Sequence, residues 1–453
     1  MNYEDAIIYH LYPLGALGAP EENDGRSESA ARLRAVVDWI PAMERIGANV
    51  LLLGPVFESE RHGYDTLDHA KVDRRLGSND DLRALSAALH ARGLSLALDA
   101  VLNHVGRGHP IVCDVVEKGV ASPYAQWIAG FDPSRRTGGL SFAYDCWAGN
   151  YDLVKLDTGS EEVRSFLIGG VLRWIDEFDI DGIRLDAADC LDRVFLRELG
   201  ARCRERKNDF FLFGEAVHGD HYRFLLGEGN LDSVTDYEAY KGLWSSYNDR
   251  NYHEIAWTLD RLFARGGLCE GKLLYSFADN HDVDRVASSL RDGAGLYPLY
   301  ALLFAMPGVP SVYYGSEFGI EGKRTRSDDS ALRPALDPAA LASLAPHPDL
   351  AAAIARFAAA RRASPAVRRG SYRTLAVAPT GLAFLRATGD DAAVVLVNGG
   401  DAVLAFDLAA PEAAGRCFFD LLDKGFSAEF DAAGRARVAV PSHWSRWLVP
   451  RGA

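Results

Sequence analysis

The chain has 453 residues, 48% apolar and 25% charged, ordinary values for a globular protein and enough length for a barrel of roughly 250 residues or more plus a smaller module. Lys and Arg number 49 against 63 Asp and Glu, a net charge of −14, which argues against nucleic acid or an anionic membrane as the main partner. A neutral substrate is compatible with it.

The amino-terminal MNYEDAIIYHLYP carries acids at once and lacks the basic region and long apolar run of a signal peptide. No apolar stretch reaches transmembrane length. The first 360 residues then alternate short apolar runs with helical patterns. Strands are predicted over 6–12, 48–56, 94–102, 182–188, 210–216, 233–237, 273–280 and 309–315. Among the helices between them, 79–92 has Ser78 placed to cap, Asp81 in the first turn, Leu82, Leu85 and Leu89 on one face and Gly93 as a stop. A second, 161–178, aligns Val163, Phe166, Leu167, Val171, Trp174 and Phe178. The expected fold is α/β, a TIM (β/α)8 barrel over 1–365 whose site lies at the carboxyl ends of the strands.

Strand three and its helix are separated by more than fifty residues, where a handful is usual. This excursion, 106–158, is read as a small subdomain leaning over the barrel mouth. From about Ala366 to the end, short runs broken by Gly, Asp and Pro predict a C-terminal antiparallel β-sandwich domain, 366–453. Six cysteines, Cys113, Cys146, Cys190, Cys203, Cys269 and Cys417, show no CxxC spacing. They fit reduced, mostly buried thiols and a cytoplasmic protein. A homo-oligomer is compatible with the sequence.

Polar residues gather where strands end. DGIRLDAAD, 181–189, closes strand four on a carboxylate; side chains alternate along a strand, so Arg184 and Asp186 share a face, and the guanidinium is expected to keep Asp186 ionised. This pair reads either as a prepared nucleophile or as a structural ion pair. DAVLNHVG gives Asp99, Asn103 and His104 after strand three, GEA gives Glu215 after strand five, ADNHDVDR gives Asn280, His281 and Asp282 after strand seven, and HGYDT gives Tyr64 and Asp65 after strand two. Glu215 ends the apolar run FFLFG, where burial raises a carboxyl pKa and suits it to donate a proton. Hydrolysing an acetal with retention needs such an acid and a charged carboxylate about 5 to 5.5 Å apart.

The set DAVLNH, GIRLD, FGEA and ADNHD, in that order, resembles the α-amylase superfamily, glycoside hydrolase family 13. The resemblance covers the whole chain, including a loop subdomain after strand three and a C-terminal β-domain. It implies Asp186 as nucleophile, Glu215 as general acid and base, and Asp282 as transition-state stabiliser. Substrate-binding roles are implied for Tyr64 as a stacking platform, Arg184 beside the nucleophile, His104 and His281 on sugar hydroxyls, and Asp329 and Arg333 on the same glucose. Asp99 is read as a carboxylate that orients strand three, while Trp147 and Lys155 are subsite residues or packing. Asn103 resembles a calcium ligand of many amylases, but the short excursion lacks a cluster of other acids. No cofactor and no obligatory calcium are therefore expected.

Where starch amylases often carry Lys and His three and four residues after the nucleophile, this chain has Asp189 and Cys190. GEAVH, with His218, and MPGVPSVYYGSEFGIEG are more similar to the cyclomaltodextrinase, neopullulanase and maltodextrin glucosidase group. The implied substrate is an oligosaccharide, a maltooligosaccharide or cyclodextrin. A transglycosylase or sucrose-type isomerase using the same site, and a non-catalytic binding relative, are the alternatives.

Overall fold

The structure, a computed structural model, describes residues 3–326, 328–389 and 391–450; the predicted domain limits at residues 1 and 453 lie outside them. The eight predicted strands are Ile8–Leu11, Val50–Leu53, Ser95–Ala100, Gly182–Leu185, Phe211–Gly214, Ser233–Val234, Tyr275–Phe277 and Val309–Tyr313. They form one sheet whose spatial order is six, five, four, three, two, one, eight, seven. A parallel bridge between Thr235 and Tyr275 joins the two outer strands, and the Asp236 N–H donates to the Tyr275 carbonyl at 2.9 Å. The sheet therefore closes into a barrel.

These strands read as continuous apolar runs because both faces are covered. Ile8, Val50, Leu52, Ala97, Phe211, Phe213, Tyr275, Phe277 and Val309 form one buried cluster. The Phe213 ring lies 5.0 Å from Phe211 and 5.1 Å from Tyr275. The intervening residues, among them Leu51, Leu53, Leu96, Leu98, Ile183 and Leu185, join the larger core that includes the helices. Each such side chain contributes about 1.5–3 kcal/mol by leaving water.

The capping prediction at Ser78 holds: the Asp81 N–H donates to the Ser78 hydroxyl and the Ser78 N–H to the Asp81 carboxylate, opening helix Asn79–His90. Helix Glu161–Phe178 buries Val163, Leu167, Val171, Trp174 and Phe178, whereas Phe166 is only half-buried. Among the described residues no helix is long and apolar enough to cross a membrane.

The excursion after strand three holds helix Pro110–Lys118 and a three-stranded sheet of His104–Gly106, Asn150–Lys155 and Cys146–Trp147. A hairpin of Phe57–Ser59 and Thr66–Val72 follows strand two. The C-terminal strands begin at Ser371 rather than Ala366, because Pro365–Arg369 forms a short helix. Six strands make one antiparallel sheet, and a ribbon of Leu404–Ala409 and Arg435–Val440 packs with it around a second core. Two strands of the larger sheet, Cys417–Asp420 and Ser427–Glu429, were not predicted.

One buried arginine, Arg386, ties this tail to the barrel; a second, Arg361, belongs to the barrel itself, in helix Leu350–Ala363. Arg386 donates to the carbonyls of Ala305 at 2.7 Å, Gly370 and Ser371, and Arg361 to that of Phe304 at 3.0 Å. Both Phe304 and Ala305 end helix Leu296–Ala305, where free carbonyls and the helix dipole favour a cation.

The candidate active site

The backbone turns sharply where strand four ends. Ala187, directly after Asp186, adopts φ 45° and ψ 45°, a left-handed conformation that is uncommon for a residue with a Cβ. Asp186 is thereby presented at the barrel mouth. Gly182, at the start of the strand, has no room for a side chain, since a Cβ there would stand 2.5 Å from the Phe211 carbonyl.

Arg184 is the hub. In the parallel ladder it lies opposite Asp99 of strand three, and its Nη1 contacts both Asp99 carboxylate oxygens at 2.7 and 2.6 Å. Its Nη2 reaches Glu215 Oε2 at 2.9 Å. Asp186 Oδ1 is more distant, 3.7 Å from Nη1. The expectation that Arg184 keeps Asp186 ionised needs correction: burial pushes this carboxyl well above the usual range, the Glu215 charge adds to that, and Arg184 only opposes it. The guanidinium is committed to Asp99 and Glu215 because those carboxylates lie on either side of it. Burial also raises Glu215, with Arg184 again opposing, in the direction the sequence predicted. Two carboxyls around one cation thus hold a proton to higher pH than either would alone.

Asp282 differs. Although the walls of the mouth desolvate it, His281, Arg333 and Arg184 together hold its carboxyl well below the usual range. His281 Nε2 lies 3.0 Å and Arg333 Nη2 3.4 Å from its oxygens. Arg333 also pairs with Asp329 at 3.0 Å and donates to the His281 carbonyl. Tyr64 stacks on His281 at 5.4 Å, touches its Nε2 through the hydroxyl, and donates to Asp99 at 2.9 Å. His104 Nε2 stands 3.9 Å from Asp186 Oδ2, both atoms buried without a hydrogen-bond partner in the chain, and burial lowers the His104 pKa to about 3. Trp147, partly exposed on the subdomain hairpin, brings its ring to 5.9 Å from that of His104. Asp186, Glu215, Asp282, Tyr64, His104, Arg184, His281, Asp329, Arg333 and Trp147 therefore converge. His218 does not: it is exposed, before the one-turn helix Gly219–His221, and makes none of these contacts.

Asp99 does more than orient its strand, since it anchors both Arg184 and Tyr64. Three residues of the cluster were missed. Tyr12 stacks on His281 at 5.7 Å and lies against the Arg333 guanidinium. His10 sets its ring edge-on to His281 at 5.3 Å. Tyr237 contacts Glu215 Oε1 at 3.4 Å and accepts from Asn280 at 3.2 Å. The alternation that pairs Arg184 with Asp186 also puts His10 and Tyr12 on one face of strand one.

Asn103 Oδ1 is buried and unpartnered, as a cation ligand would be. Yet among the described residues no three His, Cys, Asp or Glu side chains converge to hold a metal. One amide oxygen is a poor fit to calcium, which takes 6–8 oxygens, commonly with carboxylates among them. All six cysteines are free, but only Cys203 and Cys269 are buried; Cys113 and Cys190 are exposed and Cys146 and Cys417 half-buried, so "mostly buried" was too strong.

The family model "Alpha amylase, catalytic domain" matches residues 22–343, well over half of the chain. The chain belongs to the alpha-amylase family. It is 32% identical over 302 residues to the intracellular maltogenic amylase of Bacillus subtilis, covering 64% of this chain and 49% of that protein. With a cyclomaltodextrinase of Bacillus sp it shares 27% over 420 residues, 87% of this chain and 73% of the other. The chain thus spans about half the length of the first of these alpha-amylase family relatives. Among solved structures, the cyclic alpha-maltosyl-(1→6)-maltose hydrolase from Arthrobacter globiformis superposes with a TM-score of 0.81 at 27% identity, covering 99% of both chains.

Proposed function

We propose that this protein hydrolyses α-glucosidic bonds, mainly α-1,4, in short linear or cyclic maltooligosaccharides by double displacement. The observation that carries the reading is the convergence of Asp186, Glu215 and Asp282 around Arg184 at the barrel mouth. Asp186 attacks the anomeric carbon as the leaving oxygen takes a proton from Glu215, giving a glycosyl ester. Glu215, now a carboxylate, removes a proton from water, which displaces Asp186 and restores the starting state. Asp282, kept ionised by its basic neighbours, favours positive charge at the anomeric carbon. Tyr64 offers an apolar face to the sugar ring, while His104, His281, Asp329 and Arg333 bind its hydroxyls.

Names among the relatives, maltogenic amylase, cyclomaltodextrinase and a cyclic maltosyl-maltose hydrolase, support short and cyclic α-glucans as substrates. The reaction as written uses no metal, and we propose that calcium is dispensable. Unpaired cysteines support a cytoplasmic location. The test is to incubate the protein separately with maltotriose, pullulan, β-cyclodextrin, cyclic maltosyl-maltose and sucrose and resolve the products over time. Linear products from a cyclic sugar are expected. Elongated products alone, or reaction only with sucrose, would replace hydrolysis by transfer or isomerisation.

A further inference from the structure

Glu215 has two distinguishable oxygens. Oε2 is held by Arg184 Nη2 at 2.9 Å and by the Ala187 N–H at 3.4 Å. Oε1 faces the Tyr237 hydroxyl at 3.4 Å. A proton avoids the oxygen that faces a guanidinium, so the transferable proton sits on Oε1.

Tyr237 opens helix Tyr237–Asn248 just after strand six, and Asp236 caps that helix by accepting from the Ala239 N–H at 3.0 Å. Its ring is wedged edge-to-face against Phe277 at 4.9 Å and Tyr240 at 6.2 Å, so the hydroxyl has little freedom. The direction of its hydrogen bond follows from Asn280. Asn280 Oδ1 accepts from the Asp282 N–H at 2.8 Å, which turns Nδ2 toward the Tyr237 oxygen at 3.2 Å. With that lone pair occupied, the phenolic hydrogen is left to point at Oε1.

Resting on the hydrolase reading above, we propose that Tyr237 is a positioning residue for the general acid, aiming Glu215 Oε1 and stabilising the carboxylate that forms there when the proton leaves. The charged or titratable groups facing Glu215 are Arg184 and Asp186 from strand four, Asp99 from strand three, and His281 and Asp282 after strand seven. Of these only Arg184 touches its carboxylate, and on the other oxygen. The same Tyr–Asn link ties Glu215 to the backbone of Asp282, so the acid and the stabiliser share one orientation.

Tyr237→Phe in the full chain tests this, because the ring contacts are retained and only the hydroxyl is lost. For maltotriose, kcat/KM should fall about tenfold, as loss of one hydrogen bond to a charged group predicts. Its basic limb should move to higher pH by roughly half to one unit, since Glu215 loses a donor to its ionised form. Formation of the glycosyl ester from α-maltosyl fluoride, whose leaving group needs no proton, should change by less than about twofold. Equal losses on both substrates with an unmoved limb would make Tyr237 plain scaffolding and overturn the proposal, as would unchanged kinetics. If the unmodified protein cleaves neither substrate, the hydrolase reading itself fails and takes this proposal with it; if it cleaves both, only the role of Tyr237 is at stake.

Discussion

Arg184 lies closer to Glu215, at 2.9 Å, than to Asp186, at 3.7 Å. The guanidinium thus serves the proposed acid and base directly and the proposed nucleophile at longer range. Burial raises both carboxyls, so the proposed mechanism requires substrate to settle the proton on Glu215 and the charge on Asp186.

Asp186→Asn should reduce turnover of the best maltooligosaccharide by a factor on the order of 10⁴ and keep the fold. The folded state raises the Asp186 pKa, so an ionised Asp186 costs stability at neutral pH. That cost is absent below the ordinary Asp range of about 4 and grows as pH rises from there. The variant should therefore melt higher than the parent at pH 7, with the gap closing as pH falls to about 4. Thermal melts across this range check it, and a lower melting point at pH 7 would count against the burial argument.

Glu215→Gln should cripple cleavage of natural glucosides, whose leaving groups need a proton, yet leave attack on an α-glucosyl fluoride largely intact. Azide, an anion that requires no base, should restore turnover and give the α-azide by two displacements. Product anomers read by NMR decide the matter: a β-azide would mean direct attack without Asp186.

Exhaustive EDTA treatment should leave melting temperature and activity nearly unchanged, because among the described residues no cluster of acids joins the unpartnered Asn103 Oδ1. A drop of many degrees that calcium restores would make Asn103 a ligand.

Arg386→Ala should destabilise the protein by about 3–5 kcal/mol, since it strips the donor from the Ala305, Gly370 and Ser371 carbonyls and leaves a cavity. Urea unfolding measures this. A loss under about 1 kcal/mol would show that water replaces the guanidinium without penalty.

The barrel was legible because its strands are apolar on both faces and its polar clusters fall at strand ends, a pattern that survives without coordinates. What stayed hidden depends on register and on residues far apart in sequence. Arg184 and Asp186 share a strand face, but only the lateral register sets Asp99 opposite Arg184 and diverts the guanidinium. Tyr237 reads as an ordinary aromatic at a strand end until strands five to seven bring it between Glu215 and Asn280. The strands Cys417–Asp420 and Ser427–Glu429 span four and three residues, too few to show alternation. His218 looks like part of the site by its spacing from Glu215, yet its side chain is exposed and makes none of the contacts that join the others.

A covalent glycosyl ester on Asp186 can be observed directly. Glu215→Gln should be mixed with α-maltosyl fluoride, quenched in acid within seconds and digested for mass spectrometry. Deglycosylation lacks its base in this variant, so a maltosyl adduct should accumulate on the peptide that contains Asp186 and vanish when azide is added before the quench. No adduct while fluoride is released, or an adduct on the peptide carrying Asp282 instead, would contradict the account.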